Sequence, residues 1–175
     1  MTQPDITTPE YSFEISLDDL GKTPKRYRLS ANESELKNIA RRLETPSIEK
    51  LDGDMEVRAT KTVIYVEGSL SASLIRECVA SLELMDEQVA ETFELEFSRV
   101  TPADEVDAFD LEAPEVIEGD MLDLGELLVQ QLSLAMDPFP RKPDTPSLAE
   151  AYAPPENVSP FAELQGVFGK SDDNQ

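Results

Sequence analysis

Thirty-seven carboxylates, one thiol and no imidazole define the chemistry open to this chain. Without histidine, Ser-His and Cys-His nucleophile activation and imidazole general-base catalysis are absent. The single thiol, Cys78, cannot close an internal disulfide. One Cys without His does not make an ordinary structural zinc site either. Gly119 and Gly125 are isolated, and no Gly-Lys-Ser/Thr is present, so a phosphate-cradling loop is not expected. Carboxylates are so abundant that any chosen pair says nothing about acid–base work. The acidic run 104–126 lacks the spacing and the glycine of a calcium-binding loop. No catalytic residue, metal or cofactor is therefore expected, nor a small-molecule substrate.

Charge points to binding instead. The formal net charge is −22. A field that large repels bare nucleic acid and anionic membrane and attracts basic partners, ribosomal proteins among them. Solubility alone is the competing explanation. The charge is also divided. Ten of the 15 basic residues lie between Lys22 and Lys61, whereas no Lys or Arg lies between Val100 and Pro140. Two contact surfaces fit this asymmetry, as does one self-complementary fold. Arg26, Arg28, Lys37, Arg41 and Arg42 are the candidate RNA contacts, grouped on one strand and one helical sector. Asp104, Glu105, Asp107, Asp110, Glu112 and Glu115 are the candidate contacts for a basic partner.

The elements that position these residues follow from periodicity. Tyr11, Phe13, Ile15 and Leu17 alternate with polar residues, as in a half-buried strand. Residues 25–29 alternate again, so a hairpin joined at Asp18–Gly21 is expected. Ser30 stands three before Glu33, a capping box opening an amphipathic helix with Leu36, Ile39, Ala40 and Leu43 on one face. Pro46 ends that helix. Asp52-Gly53-Asp54 reads as a turn. Met55 to Ala59, Thr62 to Val66, Leu70 to Leu74 and Phe93 to Phe97 read as further strands, with Gly68 closing one of them. Cys78 to Leu84 continues the ladder after a bend.

Thr101 to Gly119 is acidic and proline-punctuated, and reads as a loop. Asp123 caps a second helix, with Leu124, Leu127, Leu128, Leu132 and Ala135 on one face, widened by Val129 and Leu134. A helix so apolar is expected to lie buried against the sheet or a partner. Asp137-Pro138-Phe139-Pro140 stops it. The fold expected is α+β: an antiparallel β-meander or partly closed barrel, two principal helices, a disordered acidic loop and a disordered C-terminal tail.

The second helix carries a resemblance. Asp123-Leu124-Gly125-Glu126 through Leu132, followed by Asp137-Pro138-Phe139-Pro140-Arg141-Lys142-Pro143, resembles the C-terminal signature of the YceD family of large ribosomal RNA subunit accumulation proteins. Cys78-Val79-Ala80-Ser81-Leu82-Glu83 resembles its central cysteine motif, and Pro160-Phe161-Ala162-Glu163-Leu164 also fits. Many members place a second cysteine where this chain has Ser81, so a metal site in those relatives does not carry over.

The resemblance implies a bacterial accessory factor for 23S ribosomal RNA accumulation during large-subunit assembly, with no assigned catalytic residues. Its partners would be a basic ribosomal protein, the 23S precursor RNA, or both. The alternative is an acidic regulatory adaptor for a non-ribosomal protein. Residues 1–9 are expected to be a flexible N-terminus and 10–140 the YceD-like domain. Residues 141–175 are expected to be a tail with a short helix at 160–168. The N-terminus lacks a basic and apolar leader, and no apolar run reaches the roughly 18 residues of a membrane span, so a cytoplasmic location is expected.

Overall fold

The computed structural model describes residues 9–99, 115–117, 119–143 and 145. Most of the acidic loop lies outside the described residues, with Asp104, Glu105, Asp107, Asp110 and Glu112. So do residues 1–8, the expected 160–168 helix and nearly all of the tail.

The chain runs β1 (Glu14–Ser16), β2 (Lys25–Ser30), α1 (Glu33–Arg42), β3 (Ser47–Ala59), β4 (Val63–Glu77), β5 (Leu84–Ser98), β6 (Glu115–Val116), β7 (Met121–Asp123) and α2 (Leu124–Ala135). Strands β2 to β5 form an antiparallel meander, and β6 adds to β5 in parallel. The sheet stays open, so of the two expected architectures the meander is the one found. Glu115 and Val116, expected in the acidic loop, belong to the sheet as β6.

The expected hairpin between the first two strands does not form. β1 pairs instead with β7, Ile15 opposite Leu122, and β2 pairs with β3. Leu17, fully buried, is fixed by its N–H donating to Asp120 O at 2.8 Å. The local turn signal at Asp18–Gly21 therefore yields to a ladder closed across more than one hundred residues.

Helix α1 starts two residues later than the Ser30 signal predicts. Ala31 N–H still donates to Leu51 O at 3.0 Å, so the sheet ladder holds the chain past Ser30. Asn32 is the cap. Its Oδ1 accepts from Ser34 N and Glu35 N, and Glu35 Oε2 accepts from Asn32 N at 2.6 Å. Glu44 ends the helix in the left-handed region at φ 51°, one residue before Thr45. The Thr45 hydroxyl donates to Ile75 O at 2.6 Å and ties the helix end to β4.

Two glycines that read as punctuation lie within strands. Gly53 is mid-β3, paired with Leu29 and Leu70. A Cβ there would stand 2.7 Å from Leu128 Cδ1, so glycine admits α2 against the sheet. Gly68 lies mid-β4 beneath the Phe93 ring, where a Cβ would meet Cζ. Residues 78–83, expected to extend the ladder, form the β4–β5 turn instead, with Leu82 N–H donating to Cys78 O.

Both helices cover one sheet face. Leu36 and Ile39 of α1 and Leu124, Leu127, Leu128, Val129 and Leu132 of α2 join one core with Leu51, Met55, Val57, Ile64, Val66, Leu70 and Leu74. Alternation along β3 and β4 sends every second side chain into that core. Leu134, expected on the buried stripe, is exposed instead: two residues on from the fully buried Leu132, it stands about 200° round the helix.

Candidate functional site

The five candidate RNA contacts occupy three separate places. Arg26 and Arg28 project from β2 onto the sheet face away from the helices. Each pairs across the strands, Arg26 with Glu56 and Arg28 with Asp54 at 2.9 Å. Lys37 and Arg41 lie along a groove of about 520 Å³ between α1 and the start of β3, and Lys37 pairs with Glu33 at 2.6 Å. Arg42 departs from the sector expected for it. Its guanidinium turns to α2 and makes two 2.6 Å bonds to Glu126 and one of 3.0 Å to Glu10. That fork raises the Arg42 pKa and lowers that of Glu126. The spacing from Asp123 predicts that Glu126 completes the cap of α2; it is committed to Arg42 instead. Asp123 caps alone, its Oδ1 accepting from Phe13 N, Gly125 N and Glu126 N at 2.8 to 3.1 Å.

The sheet face opposite the helices is polar, and no described element covers it. Asp52, Asp54, Glu56, Glu67, Glu94 and Glu96 alternate outward from β3 to β5. Arg26, Arg28, Lys50 and Arg58 pair with Glu56, Asp54, Asp52 and Glu67 on this face, so Glu94 and Glu96 carry its net negative charge; Arg58 also lies over the Tyr65 ring at 3.9 Å. An open groove of about 570 Å³ runs between Arg26 and Arg28 on one side and Glu67 and Ser69 on the other.

The two segments that carry the family resemblance meet at the end of the sheet. Asp137 to Lys142 forms a strap across the β4–β5 turn. Arg76 pairs with Glu87 at 3.0 Å and donates to Asp137 O at 3.0 Å, while Asp137 N donates to Glu87 at 3.2 Å. Val79 N donates to Pro140 O, and Lys142 N–H points at Cys78 Sγ at 3.4 Å. Lys142 Nζ reaches Glu83 at 2.8 Å. Ordered packing therefore continues past the boundary expected at 140.

Cys78 is fully buried here. The Ser81 hydroxyl, then the Lys142 and Ser81 amides, pull its thiol down to about 6. The sulfur is a hydrogen-bond acceptor for the strap as well as a small packing group. With no surface open to solvent, it is closed to an electrophile in this conformation. Among the described residues no cluster of three or more Cys, Asp or Glu is arranged to hold a metal ion.

No family model, curated protein or solved structure matches this chain.

Arg76 and Glu87 escape a reading of the sequence by residue type. The signal for them lies in the register: Arg76 is an even-numbered β4 position, in phase with Ile64, Val66, Leu70 and Leu74. An arginine on the apolar phase of a strand requires a buried partner. No described helix is long and apolar enough to cross a membrane.

Proposed function

We propose that the chain is a cytoplasmic accessory factor for 23S ribosomal RNA accumulation and large-subunit assembly, acting by binding rather than by catalysis. The observation that carries the binding reading is the uncovered acidic sheet face. It is built on the meander, where four of its six carboxylates are held in ion pairs and Glu94 and Glu96 carry the net charge, so the array is set before a partner arrives and little ordering cost remains. Such a surface fits a basic ribosomal protein, which it would attract from a distance and shield from wrong contacts. The ribosomal assignment itself rests on the resemblance of the Asp123–Pro143 and Cys78–Glu83 segments to the YceD family.

Direct RNA contact is the lesser part of this proposal. Arg26, Arg28 and Arg42 already satisfy carboxylates, and the loss of those partners offsets part of what a phosphate would contribute. Lys37, itself paired with Glu33, and Arg41 share a groove.

The test is sucrose-gradient sedimentation of ribosomes from a deletion strain, with 23S RNA quantified alongside. A deficit of 50S particles and of 23S RNA is expected. Ordinary profiles and ordinary RNA levels would defeat the assembly role and favour an adaptor for a non-ribosomal protein.

A further inference from the structure

We infer that the β4–β5 turn and the strap crossing it form a preorganised apolar anchor for a basic protein partner, with Leu82 and Phe139 as the inserted side chains. The inference rests on the reading of the chain as a binding module, and specifies where its partner is gripped.

Seven large hydrophobic residues are exposed among those described, and four of them gather here: Val79 at 47%, Leu82 at 70%, Leu84 at 59% and Phe139 at 70%. A concentration of this kind at one end of an otherwise charged molecule is the mark of an interaction surface. The backbone supplies an independent observation. Leu82 sits in the left-handed region at φ 59°, which a branched side chain adopts at a cost and which glycine or asparagine adopts freely. Here an apolar side chain stands on a strained backbone and projects into solvent. Neither local preference nor core packing accounts for a leucine at this position; a contact made on binding does.

The surface is also held rigid. The Arg76–Glu87–Asp137 network fixes the root of the strap, and Phe139 N–H donates to Asp137 Oδ1 at 2.8 Å. Lys142 secures its far end to Cys78 and Glu83. Side chains presented from a fixed frame lose little further entropy on docking.

Charge selects the occupant. A second copy would bring another net charge of −22 against the first. At the anchor itself the exposed carboxylates of Glu77, Asp86 and Asp137 outnumber the strap cations Arg141 and Lys142, and Lys142 is already paired with Glu83. A basic protein meets both features: its charge is drawn to the acidic sheet face, and an apolar pocket on it accepts Leu82 and Phe139. Charge would then govern the rate of encounter, and the apolar anchor the lifetime of the complex.

The test immobilises the full-length chain and exposes it to total protein stripped from large ribosomal subunits. The comparison is with a Leu82→Asn, Phe139→Ser double variant. Asn tolerates the left-handed backbone and both sites are exposed, so the fold is retained; an unchanged urea midpoint checks this. A Phe139→Ala variant provides a second reading that leaves the turn untouched. Retention of basic ribosomal proteins by the wild type, reduced at least about tenfold in the double variant at physiological salt, is the expected result. Undiminished retention by both variants overturns the anchor and leaves the binding reading standing. Absence of retention by the wild type overturns both. A wild type that sediments as a dimer and a double variant that sediments as a monomer would replace the basic partner with a second copy.

Discussion

At the residue scale, two side chains carry more of the structure than their types advertise. Glu126 joins α1 to α2 through Arg42, in a fork that is mostly shielded from water. Glu126→Gln should lower stability by about 1–2 kcal/mol at neutral pH, as for loss of a charge-assisted, two-pronged pair. The folded-state pKa of Glu126 is depressed. Its contribution is therefore complete above the unfolded value of about 4.3 and lost as pH falls below it. Urea unfolding of wild type and variant should converge on acidification through that range. Cys78 offers a separate check. With its thiol held at about 6, chiefly by the Ser81 hydroxyl, Ser81→Ala should move the titration back toward the ordinary value of about 8.5. Thiolate ultraviolet absorbance against pH reads this directly. The stabilising contribution of the thiolate is full above about 8.5 and fades as pH falls through about 6, so the pH dependence of unfolding across that interval should flatten in the variant.

At the scale of elements, close approach between helix and backbone decides which glycines are replaceable. A Cβ on Gly125 would stand 2.8 Å from both Phe13 N and Tyr11 O, which are backbone atoms and cannot rotate aside. A Cβ on Gly53 would meet only the Leu128 side chain. Gly125→Ala should therefore cost about 2–3 kcal/mol, despite alanine's better helix propensity, and Gly53→Ala less. Urea midpoints at matched m-values test the order.

The same approach of elements explains what the sequence can and cannot disclose. Both helices and parts of β2 to β5 are legible because alternation in Met55–Ala59 and Leu70–Leu74, and the i, i+3, i+4 pattern in Leu124–Leu132, depend on burial alone; β4 reads as two strands split at Gly68, and the first halves of β3 and β5 go unread. Asp52–Asp54 reads as a turn because Asp-Gly is a strong local turn signal, while the cause of this glycine, Leu128, lies in a distant helix. The β1–β7 ladder is illegible for the same reason. Of the candidate site, the acidic and basic inventories are readable. The division of the basic residues among three locations is not, since it depends on which carboxylate each cation meets.

At the scale of the whole molecule, self-repulsion opposes compactness. Fifteen cations cannot neutralise 37 acids, and most described cations already have partners. Raising ionic strength from about 0.01 M to about 0.15 M shortens the screening length from roughly 30 Å to 8 Å. The melting temperature should therefore rise by a few degrees over that interval, because relief of long-range repulsion outweighs weakening of exposed pairs. A scanning fluorimetry series in sodium chloride measures it, and a falling midpoint would mean that the local pairs dominate.

The closure of β1 on β7, with Leu124 N–H donating to Phe13 O and Asp123 accepting from Phe13 N, has a consequence for how the polypeptide matures. During translation the meander emerges before Met121–Ala135, so the part of its oily side that α1 leaves uncovered is bare while α2 is still unsynthesised. A nascent chain stalled at that stage would present Val57, Val66 and Leu74 to the crowded interior and become a client for chaperones that bind apolar surface at the ribosome. Completion of the native state is in this sense a single late stitch, sewn between the first and the last of the described elements.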